Sequence, residues 1–536
     1  MLWYPLLIQR RYSGSVSRAQ GLYVSAYIVM NGFCMGLGIR STHLTTDLIS
    51  RTGVMASINM VPLFLGGRTS IMVDMLGVSV HSYYLAHHWI GRVVVVQGLI
   101  HAGLVMSKVK TSTFDATQVA GLSAASASAL LLVLSLHLIR RAAYEFFLGL
   151  HTLLALIVVV ALSIHLASRG WIRYIYPLVA VLLWTINGLT RLVRVFYLNA
   201  GQGYRQRDQA TIITHKRPET GSVSGLTLTV WPKRPVRVQG GAYYYLYFSD
   251  MGLRKRFQGH PFVVSWWDDP VDTKPTSLSF LISPRHGLTK ALTTRTSVRS
   301  VILDGPYGIN PRLEGYEAVL LFAKGIGIAG MLPHALNLVE QKNHKDMTSW
   351  SSVMTRNVDL IWVLEENCQE QWIDSWIEKL KEKDPINKRI LSVICYLPSR
   401  QGNADGSSDR YYKKFYGEQP NIREVIDEAV KAAPGRTIIA VCGDPKFSSH
   451  VRDLAIDRMK SSQNVTFEEV EFRPYQTTSD SLSNHNWWMD AVESRVETSE
   501  AGTETSTAVV FERPMGTDPK TGRSMVKKNL QARKEI

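Results

Sequence analysis

The chain has 536 residues, enough for more than one domain, and carries 60 Lys and Arg against 44 Asp and Glu, a formal net charge of +16. No Lys/Arg cluster is interleaved with aromatics, which speaks against a nucleic-acid partner and leaves cations flanking membrane segments as the plainer account. Four scattered cysteines (Cys34, Cys368, Cys395 and Cys442) offer neither a disulfide framework nor zinc-site spacing.

Residues 1–20 lack the basic start of a secretory signal and read as a short cytosolic segment. Apolar windows then follow at Gly21–Ile39, Leu85–Ser107, Ala116–Ile139, Phe146–Ala167 and Ile172–Thr190, each within the roughly 17–25 residues that span a bilayer. A marginal window, Gly53–Gly67, extends toward Asp47. The pattern predicts a bundle of about six transmembrane helices over residues 21–198.

Two of these windows carry histidines fourteen residues apart: His87 and His101 in one, His151 and His165 in the other. Fourteen residues is close to four helical turns, a rise of about 21 Å, so both members of a pair point to the same neighbour at two depths. An imidazole in hydrocarbon needs a partner. One reading is hydrogen bonding within the bundle. The matched spacing favours the other, in which His87 with His151 and His101 with His165 clamp two stacked metal centres. Pairs so far apart suit two haem irons better than a tetrahedral zinc site. His88 adjoins His87 and is the alternative ligand. Arg92 could meet a haem propionate or snorkel to the interface.

From Ala210 the texture changes to short strands at ATIITHK, LTLTVWP, AYYYLYFSD and FVVSWW, separated by Gly/Pro turns, as in a small β-barrel over 205–312. His260-Pro261-Phe262 could present a ring edge to a flat cofactor. Arg285, Gly287 and Thr289 precede a predicted helix, where backbone N–H groups and a cation could meet a diphosphate. The turn cluster LDGPYG, which contains Gly305 and Pro306, ends the barrel. Next, the strand AVLLFA runs into KGIGIAG and a helix, the context in which Gly325 and Gly327 would admit a pyrophosphate. Strands at DLIWVLE, ILSVICYL and TIIAVCGDPKF alternate with helices, which predicts a parallel nucleotide-binding sheet over 315–475. Residues 476–536 are poor in apolar side chains and predict a disordered tail.

The order of parts, with the histidine helices followed by HPF, DGPYG, GIGIAG and CGDP, resembles the fungal ferric reductase transmembrane components, relatives of the NADPH oxidase catalytic subunits. The resemblance covers roughly residues 20–475. It implies two b-type haems on His87, His101, His151 and His165. It implies FAD on His260, Pro261, Phe262, Val263, Arg285, Gly287 and Thr289. NADPH is implied on Gly305, Pro306, Gly325, Ile326, Gly327, Cys442, Gly443 and Asp444. The implied fold is a helical transmembrane bundle followed by a ferredoxin-reductase-like unit, a β-barrel FAD domain plus an α/β parallel-sheet NADPH domain. The implied activity is electron transfer from cytosolic NADPH through FAD and both haems to ferric chelates or cupric ion across a plasma or vacuolar membrane, in support of iron uptake. Passing the last electron to oxygen, as an NADPH oxidase does, is the rival reading. Lys324 stands where relatives often carry a small residue, and His88 where Arg is common.

Overall fold

The computed structural model describes residues 6–10, 14–39, 43–65, 80–108, 115–142, 144–167, 169–200, 209–251, 259–268, 277–284, 288–308, 310–347, 354–385, 389–399, 411–433, 435–462 and 464–470. Arg285, Gly287 and the segment 476–536 lie outside these residues.

A short hairpin of β1 (Leu6–Arg10) and β2 (Gly14–Ser17) leads into α1 (Arg18–Gly36). Ser17 starts that helix with a reciprocal capping box, its hydroxyl accepting from the Gln20 N–H while the Gln20 side chain accepts from the Ser17 N–H. Then come α2 (Leu44–Met60), α3 (Val80–Met106), α4 (Ala116–Leu134), the short α5 (His137–Ala142), α6 (Tyr144–Ala167) and α7 (Trp171–Asn199). Among the described residues, four helices are long and apolar enough to cross a membrane: α3, α4, α6 and α7. Their outward faces keep large apolar side chains exposed, Phe146 and Leu182 among them. Hydrocarbon tolerates such a surface and water does not.

Boundaries differ from the sequence windows for local reasons. The marginal window becomes α2, which begins before Asp47 and ends at Met60 rather than Gly67. Pro62 follows in a 3-10 turn at Val61–Phe64, and its missing N–H cannot continue an α-helical ladder. The Ala116–Ile139 window breaks at Ser135, with α5 starting anew at His137. The last window is longer than expected, because α7 runs nine residues past Thr190.

The soluble part opens with β3 (Ala210–Lys216), β4 (Val223–Val230), β5 (Tyr243–Phe248), β6 (His260–Val263), β7 (Trp266–Asp268), β8 (Ser277–Ile282), the short α8 (Leu288–Leu292), β9 (Ser297–Val298) and β10 (Val301–Tyr307). These strands pair antiparallel in the orders β10-β5-β6 and β7-β8-β4-β3-β9 around buried Leu228, Tyr244, Leu246, Trp266 and Phe280. After it come β11 (Ala318–Lys324), α9 (Ile328–Met347), β12 (Asn357–Val363), α10 (Asp374–Lys383), β13 (Leu391–Leu397), β14 (Tyr412–Tyr416), α11 (Ile422–Ala432), β15 (Thr437–Cys442), α12 (Pro445–Ser461) and β16 (Val465–Glu469). All six strands are parallel, in the order β14-β13-β12-β11-β15-β16. Helices cover both faces, so β11 and β15 read as continuous apolar runs.

Candidate functional site: paired histidines and a nucleotide crevice

In the bundle α2 packs on α3 and α4 packs on α6. Across the bundle the histidines of α3 face those of α6, like with like. The rings of His87 and His151 have their centres 6.1 Å apart, and those of His101 and His165 6.3 Å apart. An imidazole nitrogen binds a metal at about 2.0–2.1 Å and lies roughly 1.1 Å from its own ring centre, so a metal clasped between two rings sets the centres about 6.3 Å apart. Both pairs meet that spacing. Between the two levels Val94 and Val158, each seven residues from the histidines on its helix, pack with Met60 and Val159. Beside these apolar side chains the same stretch of α3 carries the buried Gln97, hydrogen-bonded to Asn31 and Asn59.

Ring nitrogens add a second constraint. His101 Nδ1 donates to the Ile49 carbonyl at 2.8 Å, and His165 Nδ1 to the Thr117 carbonyl at 2.9 Å. A carbonyl only accepts, so the proton sits on Nδ1 and the Nε2 lone pair is left for a ligand. His87 Nδ1 and His151 Nδ1 are buried with no hydrogen-bond partner among the described residues. His88 is turned elsewhere, with Nε2 3.2 Å from Arg140, and Arg92 lies over the Trp89 ring at 4.7 Å. Among the described residues no three His, Cys, Asp or Glu side chains cluster as a metal cage. The donor set is therefore two pairs of imidazoles at two depths, and it fits a bis-axial haem at each.

In the barrel, His260, Pro261, Phe262 and Val263 form β6, paired in register to Leu246, Tyr245, Tyr244 and Tyr243 of β5. β6 is the edge of its sheet, and His260 and Phe262 are half-buried with rings 6.5 Å apart. An aromatic edge of this kind is what a flat ring system packs against. Thr289 lies in α8, in the first turn.

The glycine and CGD motifs converge. β11 and β15 are neighbours, with Ala323 opposite Cys442, and chain order reverses between them because β12 lies on the other side of β11. The crevice beyond the carboxyl ends of such strands is where open α/β sheets bind nucleotides. Gly325, Ile326 and Gly327 form a 3-10 turn after β11, facing Cys442, Gly443 and Asp444 after β15. Gly325 has φ +50°, and its carbonyl accepts from the buried Trp362 indole. A side chain on Gly327 would run into the Cys442 carbonyl. We expect Gly327→Leu to weaken nucleotide binding at least about tenfold, roughly 1.4 kcal/mol, with the bundle intact. Fluorescence titration with the dinucleotide reads the first, and an unchanged absorbance spectrum of the bundle reads the second.

Lys324 and Asp444 close the crevice with a 2.6 Å ion pair, and Asp444 also caps α12 by accepting from the Lys446 and Phe447 N–H groups. Burial opposes ionisation of Asp444, but the hydrogen bonds from Lys324 and the cap outweigh it and hold the carboxyl below its ordinary value. A carboxylate depressed on folding stabilises fully above its unfolded pKa, about 3.9, and loses that contribution as pH falls through the folded value. Lys324→Met should move acid unfolding of this domain to higher pH, read by circular dichroism between about pH 5 and 2.

Gly305 and Pro306 lie on β10 of the barrel, beside Tyr244 and Arg194. Their neighbour Asp304 is fully buried and holds the end of α7. Arg191 reaches it at 2.8–2.9 Å, Arg194 at 3.4 Å and the Tyr307 hydroxyl at 2.7 Å. Burial and the adjacent carboxylate push the Tyr307 phenol far above its ordinary pKa, so it stays a donor. Asn199 completes the junction, its amide accepting from the Leu303 N–H at 3.0 Å and donating to the Leu303 carbonyl at 2.7 Å. Arg191 and Arg194 fall beyond the last apolar window, which ends at Thr190, so the sequence windows do not reveal this clamp. The available signal was the amphipathic run RLVRVFYLN continuing the last helix, with cations at Arg191 and Arg194.

Two family models match the chain: "Ferric reductase like transmembrane component" over residues 52–162 and "Ferric reductase NAD binding domain" over residues 316–456. In both its membrane part and its soluble part the chain is similar to ferric reductases. "Ferric reductase transmembrane component 5" of Saccharomyces cerevisiae is 25% identical over 489 residues, 85% of this chain and 66% of that protein. "Ferric reductase transmembrane component 6" of the same yeast is 24% identical over 82% of this chain and 62% of its own length. "Ferric/cupric reductase transmembrane component 1" of Candida albicans is 22% identical over 85% and 62%. The chain thus spans less than two thirds of each of these relatives. Among solved structures, a flavohemoglobin from Malassezia yamatoensis with bound FAD and heme aligns over 80% of this chain and 98% of its own, with a TM-score of 0.36 and 13% identity. The ferredoxin reductase in carbazole 1,9a-dioxygenase aligns over 50% and 70%, with a TM-score of 0.30 and 13% identity. With four bilayer-length apolar helices and the transmembrane family match, the chain is an integral membrane protein.

Proposed function

We propose that this chain is a transmembrane metalloreductase that takes electrons from cytosolic NADPH and delivers them to ferric chelates, or to cupric ion, across the plasma or vacuolar membrane. The observation that carries the reading is the pair of imidazole pairs, spaced 6.1 and 6.3 Å between ring centres at two depths of one bundle. When bound, FAD would supply the exchange between two-electron and one-electron transfer, and two b-type haems would supply one-electron carriage.

The chain's own residues supply position. Gly325, Gly327 and the CGD turn admit a pyrophosphate to the crevice, and the Lys324 charge at its mouth favours phosphate. His260 and Phe262 offer an aromatic edge on β6. His87 and His151 form the pair nearer the cytosolic domain in this orientation, and His101 with His165 the outer pair. Val94 and Val158 pack between the levels against Met60 and Val159. Reduction to the soluble ferrous form on the far side serves iron uptake and homeostasis.

A redox difference spectrum of the purified chain, with its haem-to-protein ratio, tests the reading. About two b-type haems per chain are expected, as is NADPH-dependent reduction of a ferric chelate that superoxide dismutase does not inhibit. Stoichiometric superoxide would make oxygen the acceptor, and absence of haem would overturn the reading.

A further inference from the structure

Two helix positions beside the outer histidines share one geometry. On α2, the Ile49 carbonyl accepts from His101 Nδ1, and Gly53 follows four residues later. On α4, the Thr117 carbonyl accepts from His165 Nδ1, and Gly121 follows four residues later. Residues four apart share a helix face, so each carbonyl stands one turn before a bare glycine. The imidazole edge rests on that glycine. A Cβ at Gly53 would lie 2.9 Å from His101 Nδ1 and 3.0 Å from Cε1. At Gly121 the distances to His165 would be 2.7 and 2.9 Å. Glycine inside a helix costs about 1 kcal/mol relative to alanine, so the position needs a reason. Other glycines of the same bundle, Gly91, Gly98 and Gly149, have nothing within 4 Å of a Cβ and show no such need.

The inner pair differs. Its Nδ1 atoms have no hydrogen-bond partner among the described residues, and the described bundle glycines other than Gly53 and Gly121 press on neither His87 nor His151.

We infer that Ile49–Gly53 and Thr117–Gly121 are two copies of one positioning seat, which fixes the tautomer and ring plane of the outer histidines and leaves the inner pair without an equivalent. The inference rests on the proposed haem ligation and adds residues that touch the ligands rather than the metal. A backbone acceptor on Nδ1–H raises the basicity of the ligating Nε2 and favours the ferric state. The seat therefore lowers the outer haem's potential relative to the same haem without it. A methyl group at either glycine would push the ring off its carbonyl.

The test uses the purified full chain as wild type, Gly53→Ala, Gly121→Ala and the control Gly98→Ala. Haem is counted by absorbance, ring-plane geometry is read by electron paramagnetic resonance of the oxidised protein, and midpoints by redox titration. Each seat variant should change the resonance of one haem only and either raise its midpoint or loosen its retention about 10–100-fold. The other haem and the Gly98→Ala protein should match wild type. Unchanged signals and midpoints in both seat variants would overturn the seat while leaving the ligation reading standing. Loss of both haems in a seat variant would mark the glycine as a helix-packing element and overturn it too. A wild-type chain without haem would remove the ligation reading and the seat together.

Discussion

His165→Ala is expected to remove the outer haem alone, lowering the ratio from about two haems per chain to about one, while NADPH still reduces the flavin. Loss of a ligand's outer partner already costs 10–100-fold in comparable sites, so loss of the ligand itself should lower ferric-chelate reduction by more than about 100-fold. His101, whose ring centre lies 6.3 Å from that of His165, would then face only a methyl group and could not clasp a metal from one side. The inner pair should stay intact, because Val94 and Val158 stand between the levels, seven residues from the histidines on either side. Stopped-flow absorbance reads flavin and haem reduction separately. Normal metal reduction by this variant would end the ligand assignment.

Asp304→Asn should act at a different step. The wild-type carboxylate is fully buried and answers two guanidinium groups from α7 and one phenol from its own strand. Replacing it by an amide keeps the shape and removes the charge. Removing one partner of a buried pair costs about 3–5 kcal/mol when the other charge is stranded. Here the arginines keep partial access to water, at 36% and 20% side-chain exposure, so the cost to stability is discounted below that range. The larger effect should be on rate. The clamp sets where the barrel stands against the bundle, and a displacement of about 1 Å can cost on the order of 100-fold in a reaction that depends on placement. We expect flavin reduction by NADPH at the wild-type rate, haem content unchanged, and transfer from flavin to haem slowed by about 10–100-fold. Equal slowing of both steps would mean that Asp304 supports the nucleotide domain instead.

These two sites mark where sequence was readable and where it was not. The histidine pairs were legible because a fourteen-residue repeat is a statement about one helix, and helical geometry is the same wherever the helix goes. The strands ATIITHK and AVLLFA were legible for a similar reason, since composition and turn residues bound them locally, and they appear as β3 and β11. Asp304 was read as part of a turn because its partners lie 110 and 113 residues away, on a helix whose apolar window stopped before them. Gly53 and Gly121 were invisible as seats, since the histidines they hold are on the next helix or the one after. Sequence spacing reports faces. It does not report which faces meet.

Asn199 carries a consequence for how the molecule is made. Its amide occupies both hydrogen-bonding groups of Leu303 on β10, the outer strand of its sheet. An open strand edge invites pairing with another chain. In this protein the stopper for that edge comes from a helix about a hundred residues earlier in the chain, so the end of the membrane portion closes an edge of the reductase portion. A soluble half produced without it would have one open edge and an Asp304 carboxylate answered only by the Tyr307 hydroxyl.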